Sequence, residues 1–239
     1  MKKRILTIVA CMLLISTVIP GYLSAQGEMV GTVIAVTGKV LNALDKSPVS
    51  VKIIAYDESG KKVNSTRSNE SDGSYYLTKL QPNHTYNFII SDEKYLITKY
   101  SLNIPDLKKY SEISKDFIVY PKGANIKIKL NVPPFEFNKT KIKYAYGVLL
   151  EDQVSLFIEN PDVKFSIVSY PDNDDNPAEN ATISSERAQS LADFLIIKGI
   201  DPSRINLVKN TNTDPANPKP VAKAAKGKKY IGTTYFVIN

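Results

Sequence analysis

Between Ser169 and Leu195 the sequence SYPDNDDNPAENATISSERAQSLADFL gathers residues suited to ion chemistry: the carboxylates of Asp172, Asp174 and Asp175, followed by Arg187. An arginine offers a planar fork of N–H donors that grips a carboxylate at both oxygens. Apolar spacing at Ala188, Leu191, Ala192 and Leu195, closed by Gly199, predicts a helix over Ser184–Lys198 and puts Arg187 in its first turn. A cation there opposes the helix dipole, so the spacing calls for an anion beside it. Two partners compete. The first is an acid of the preceding loop, Asp172 above all, which would pin the loop to the helix. The second is a carboxylate on a ligand, to which the N–H groups of Ser184 to Arg187 would add donors. The acids themselves also admit a metal reading: Asp172, Asp174 and Asn176 have the D-x-D-x-N spacing of a calcium loop, although Pro177 stands where that pattern needs glycine and Ile183 where it needs glutamate. The same acids are the only basis for a carboxylate-dependent hydrolase.

Other chemistries are closed by count. His84 is the only histidine, in the turn-like Gln81-Pro82-Asn83-His84-Thr85, so neither a multi-histidine metal site nor a histidine-based triad is available. Cys11 is the only cysteine. It lies in MKKRILTIVACMLLISTVIPGYLSAQG, where three positive charges, a short apolar run from Ile5 to Ile19 and Leu23-Ser24-Ala25 predict a signal peptide over residues 1–25. Ile8-Val9-Ala10-Cys11 also loosely fits a lipoprotein cleavage site, the minority reading. Either processing removes Lys2, Lys3 and Arg4 from a chain of formal net charge +7. The remaining excess is mild. No stripe of basic and aromatic residues predicts nucleic-acid binding, Lys223–Lys229 being a basic loop or tail. No later run is long enough for a membrane helix.

The elements that must position these residues fall into two patterns. The 239 residues suffice for two domains of about 100 to 120 residues each. Up to Pro121-Lys122-Gly123, short alternating runs (Val36–Val40, Val49–Tyr56, Ser74–Leu77, Tyr86–Ile90, Phe117–Val119) are separated by turns such as Ser71-Asp72-Gly73, and Val49, Val51, Ile53 and Ala55 share a buried face. Beyond Gly123 the period changes. Ile126–Leu130 reads as a strand, and Lys141–Glu159 as a helix with Leu150, Val154, Phe157 and Ile158 on one face. Val163–Val168, Ile205–Val208 and Thr233–Ile238 read as strands around the Ser184–Lys198 helix.

TGKVLNALDKSPVSVKIIAYDESGKKV, followed by NESDGSYYLTKLQPNHTYNFIIS, resembles the carboxypeptidase-regulatory-like, transthyretin-like sandwich over about residues 34–120. Within it, Gly73 suits a turn of permissive backbone, and Tyr75 and Tyr86 suit half-buried strands. That resemblance implies a binding or spacing module and names no ligand.

From about Leu130 to the end the chain resembles the OmpA-like C-terminal, peptidoglycan-associating domain. Phe135-Glu136-Phe137-Asn138 is similar to the family's opening F-x-F-[DN]. Ser169-Tyr170-Pro171-Asp172 stands where the family has G-[HY]-T-D, and ISSERAQSLADFLIIKGIDPSRI follows its long helix motif. The resemblance implies that Asp172 and Arg187 hold the zwitterionic head of diaminopimelate from a peptidoglycan stem peptide, with Asn180 as a third ligand-binding residue and Asn138, Tyr170 and Ser184 in support. Asp172 and Arg187 are then expected at an exposed loop and helix start. Departures are also visible: Lys209 to Pro215 replaces the family's G-x-G-E-x-x-P, and Gly232 and Thr233 stand where two arginines are usual.

The expected architecture is α+β multidomain, with signal peptide 1–25, an antiparallel β-sandwich over 26–122 and an OmpA-like βαβαβ two-layer α/β domain over 123–239. The expected role is a non-catalytic periplasmic protein of a Gram-negative envelope. It would bind peptidoglycan and need no cofactor or metal, with other envelope proteins meeting the sandwich. A scaffold that binds only protein partners is the alternative. The sequence leaves the oligomeric state open.

Overall fold

The computed structural model describes residues 33–130, 132–219 and 229–239. The expected signal peptide with Cys11, and the basic run up to Lys228, lie outside the described residues. Among the described residues, eight strands precede the Pro121-Lys122-Gly123 linker: β1 (Ile34–Asn42), β2 (Lys52–Tyr56), β3 (Lys62–Arg67), β4 (Ser74–Leu80), β5 (Thr85–Asp92), β6 (Tyr95–Asn103), β7 (Ser111–Ser114) and β8 (Phe117–Val119). One sheet has the order β3-β2-β5-β6; the other runs β4-β1-β7, with β8 also on β1. Residues of both sheets bury one core, among them Val36, Val51, Ile53, Leu77, Phe88 and Phe117. Val49, Val51, Ile53 and Ala55 face inward as their alternation implies.

The second sheet is not wholly antiparallel. β1 is antiparallel to β4 but parallel to β7 and β8. After β6 the chain crosses between the sheets, so β7 and β8 enter beside β1 in its own direction, a connection no hairpin can make. Gly38 marks the handover from β7 to β8: a Cβ there would lie 2.1 Å from the carbonyl oxygen of Lys115. The side chain of Asp116 then accepts the N–H of Lys39 at 2.8 Å. Strands β3, β6 and β7 escape the sequence reading. β3, KVNSTR, has no fully buried residue and so no apolar alternation to detect.

After the linker come β9 (Lys127–Lys129), α1 (Tyr146–Leu149), α2 (Glu151–Glu159), β10 (Phe165–Ser169), α3 (Pro177–Ile197), a 3-10 turn at Pro202–Arg204, β11 (Ile205–Val208) and β12 (Thr234–Ile238). Their sheet has the order β11-β10-β12-β9, with β10 parallel to β11 and antiparallel to β12. Helices α2 and α3 contribute Val154, Leu156, Phe157, Ala188, Leu191 and Leu195 to its core. Phe157 stacks on Phe165 with ring centroids 3.8 Å apart.

The expected single helix over Lys141–Glu159 is two helices that meet at the buried Leu150. The break shifts the phase of the apolar face. Leu156 is buried, and Ile158, expected inside, is 49% exposed.

The halves touch. Leu96 of β6 belongs to the second core. Asn160, which closes α2, accepts the N–H of Ile97 at 2.9 Å and donates to its carbonyl at 2.8 Å, as a neighbouring strand would. Lys99 and Glu159 add an ion pair at 3.6 Å.

Candidate functional site

Helix α3 begins seven residues before the expected Ser184. Asn176 is its N-cap, accepting the N–H groups of Ala178 and Glu179 at 3.2 and 3.3 Å, and Pro177 fills the first helical position. Asn176-Pro177 is a start signal that the apolar periodicity conceals, because the first turns of α3 are polar. Arg187 therefore lies mid-helix, where the end of the dipole does not reach. Its burial, not its position on the dipole, demands an anion.

That anion is Asp172. Arg187 Nη1 donates to Asp172 Oδ1 at 2.7 Å and Nη2 to Oδ2 at 2.8 Å, with side-chain exposures of 0% and 1%. The remaining guanidinium hydrogens go to backbone carbonyls: Nε to Lys139 at 2.8 Å, Nη1 to Tyr170 at 3.2 Å and Nη2 to Glu136 at 3.1 Å. Every donor of the fork is thus engaged. Asp172 also accepts the N–H of Asn138 at 2.7 Å and that of Gly232 at 2.7 Å. The ring of Phe135 lies 5.2 Å from the guanidinium carbon. The expectation of an exposed pair is corrected: desolvating two charges is costly, and only this full set of hydrogen bonds compensates for it.

Of the six residues singled out in the sequence, Asn138 and Tyr170 bond the Asp172–Arg187 pair directly, whereas Asn180 and Ser184 bond the neighbouring loops. Asn180, 2% exposed, donates to the carbonyls of Asn173 and Thr211 at 2.8 and 2.9 Å, tying the β10–α3 loop to the segment after β11. Ser184 ties the same segment by donating to the Asn210 carbonyl and accepting its N–H, both at 2.9 Å. Asn138 takes part through its backbone, at φ +52. Tyr170 supplies its carbonyl to Arg187 and sets its ring edge-on to Tyr235, 6.2 Å between centroids.

The D-x-D-x-N residues do not converge. Asp172 faces Arg187, Asp174 accepts the N–H of Thr213 at 2.6 Å and its hydroxyl at 2.9 Å, and Asn176 caps the helix.

Three contributors were not foreseen. Gly232 closes the pair from β12's side: a Cβ there would meet the Tyr170 carbonyl oxygen at 2.0 Å, so no larger residue fits this backbone. Asn210 Nδ2 holds the Ser169 carbonyl at 2.8 Å. Asp214, 2% exposed, accepts from the hydroxyls of Thr233 and Tyr235, from Asn217 and from the N–H of Ala216. Burial pushes its carboxyl up, but the hydrogen bonds from Thr233, Tyr235 and Asn217 outweigh this and hold it below the usual carboxylate range. Burial, then the bond to Asp214, pushes the Tyr235 phenol up to about 12. Asp214-Pro215 stands within the stretch that departs from the G-x-G-E-x-x-P pattern. A cleft of about 400 Å³ opens beside it, lined by Tyr170, Asn210, Thr211, Thr213 and Pro215 among others.

Residues 134–228 match the sequence pattern of the OmpA family. The chain carries an OmpA family domain. The Asp172–Arg187 pair lies inside it. A curated relative, probable lipoprotein YiaD of Escherichia coli (strain K12), is 31% identical over 104 residues, which are 42% of this chain and 46% of that protein. The chain thus spans about half the length of this relative. Among solved structures, the peptidoglycan-associated lipoprotein from Burkholderia pseudomallei is 15% identical with a TM-score of 0.38, covering 44% of this chain and 86% of that one. The OmpA-like domain of FopA1 from Francisella tularensis subsp. tularensis SCHU S4 is 12% identical with a TM-score of 0.35, covering 48% and 79%. No helix among the described residues is long and apolar enough to cross a membrane.

Proposed function

We propose that the protein is a non-catalytic component of the bacterial cell envelope that associates with peptidoglycan through its OmpA domain. The observation that carries this reading is the match of residues 134–228 to the OmpA family. The two charged residues of the family's ligand motif, Asp172 and Arg187, meet within that stretch. Export by the 1–25 signal would place the protein in the periplasm. The N-terminal half, as a transthyretin-like sandwich, would act as a spacer or contact other envelope proteins.

The finer proposal is that the ligand is the zwitterionic head of diaminopimelate, with its ammonium at Asp172 and its carboxylate at Arg187. Of the five hydrogen bonds from Arg187, those to the Tyr170 and Glu136 carbonyls are the longest. A ligand carboxylate would displace these first, because an anion binds a guanidinium more strongly than a carbonyl does. Asn180 and Ser184 would keep the surrounding loops in place during the exchange.

A second reading is favoured by one specific observation. The pair is closed to solvent and its donors are all engaged within the chain, as suits a domain that keeps the pair as a structural centre and binds protein partners instead. Co-sedimentation of the mature protein with insoluble peptidoglycan sacculi separates the two readings, with free diaminopimelate as competitor. Muropeptides released from those sacculi would contradict both and point to hydrolysis.

A further inference from the structure

The N-terminal half carries a concave patch of positive charge that the OmpA domain does not use. Where β3 meets the end of β4, Lys61, Lys62, Lys79 and His84 line a cleft of about 380 Å³ together with one acid, Asp57, and the buried Tyr86. The two sheets are stitched together at this point, Asn64 donating to the carbonyl of Thr78 at 2.8 Å, so the walls hold a fixed separation. Lys79 has φ +70, a backbone region that residues with a side chain rarely adopt. It lies in the register shift of the β1–β4 pairing, which runs from Ile34↔Leu80 to Val36↔Leu77. Such an irregularity re-aims a side chain out of its strand's alternation.

Three lysines face one acid in the cleft, and the acids in and beside it are held by backbone N–H groups. Asp57 Oδ1 accepts the N–H groups of Ser59 and Lys61, both at 2.9 Å, and Glu58 accepts the N–H of Thr85 at 2.8 Å. Among the described residues, Lys61, Lys62 and Lys79 form no ion pair. Three ammoniums around one cleft repel one another and favour an incoming anion. Arginine would suit a planar carboxylate, whereas lysines are compact point charges that suit a tetrahedral oxyanion.

We propose that this cleft binds a phosphate-class oxyanion, carried either by a soluble molecule or by a lipid headgroup. His84 gives a direct readout, because it is the only histidine in the chain and its ring protons give a single set of NMR signals. Titration of the protein with pyrophosphate should move those signals saturably, while sodium chloride at matched ionic strength should not. Replacing the three exposed lysines together (Lys61→Ala, Lys62→Ala, Lys79→Ala) should weaken the interaction by about tenfold and leave the far-UV circular dichroism unchanged. Co-sedimentation with vesicles of phosphatidic acid, absent with phosphatidylcholine and lost in the triple variant, would assign the lipid source. Pyrophosphate binding without vesicle binding would assign the soluble one. The proposal is overturned if sodium chloride reproduces the shift, or if the triple variant binds pyrophosphate as tightly as the original chain.

Discussion

Arg187 and Asp172 form a two-handed ion pair in the interior of the OmpA domain, 2.7 and 2.8 Å across its two bonds, and together they collect five backbone groups from three separate segments. The segments are the loop after β9, the loop after β10 and the entry to β12, and Arg187 joins them to helix α3. The pair therefore acts as a junction for the domain, and this sets what its removal does.

Either Arg187→Ala or Asp172→Ala should lower stability by about 3 to 5 kcal/mol, because the surviving charge stays buried without its partner. Arg187→Lys should recover only part of this, since an ammonium has three donors where the guanidinium uses five. Urea denaturation of the three variants checks the order. Equal stability of all variants and the original chain would show that the pair opens to solvent.

Gly232→Ala should be destabilising by about 1 to 3 kcal/mol, the range for overpacking. The added methyl would press on the carbonyls of Tyr170 and Pro171, at 2.0 and 2.5 Å, and both are backbone atoms that cannot rotate away. Thermal melting reports the loss. An unchanged melting temperature would mean that the entry to β12 shifts freely.

Asp214 should make a pH-dependent contribution. A carboxyl held lower in the folded chain than its ordinary 3.8 adds stability above the unfolded value and gives it up as pH falls through the folded one. The stability difference between the original chain and Asp214→Asn should therefore be constant near neutral pH and shrink on acidification below about pH 4. Urea melts at several pH values measure it. A difference that grows on acidification would contradict this account.

The contact between the halves should be energetically significant. Leu96→Ala removes a fully buried side chain from the second core and should cost about 2 to 5 kcal/mol. Asn160→Ala leaves the Ile97 N–H and carbonyl unpartnered and should cost about 1 to 3 kcal/mol. A chain starting at Gly123 should accordingly fold with a lower melting temperature than the full chain. The same melting temperature would show that the halves are energetically independent.

Much of this arrangement was legible in the sequence where burial imposes a period. Ala188, Leu191, Ala192 and Leu195 face the core as their spacing implies, and β8 and β11 have the ends expected for them. What escaped has physical causes. The first turns of α3 are polar, so apolar spacing starts the helix late and leaves Arg187 at an exposed end. Strand β3 carries no buried residue, and the parallel pairing of β7 and β8 depends on a crossover that no local pattern records. The closure by Gly232 joins residues far apart in sequence through a backbone N–H, which no side-chain motif signals. Asp172 and Arg187 could be named from their motif, but their burial depends on carbonyls from loops that the motif does not contain.

Peptidoglycan association through the OmpA domain is measured most directly by co-sedimentation of the purified mature protein with insoluble sacculi at low salt. The protein should pellet with the sacculi, and free diaminopimelate should return it to the supernatant. Protein that remains in the supernatant at every sacculus concentration would contradict it.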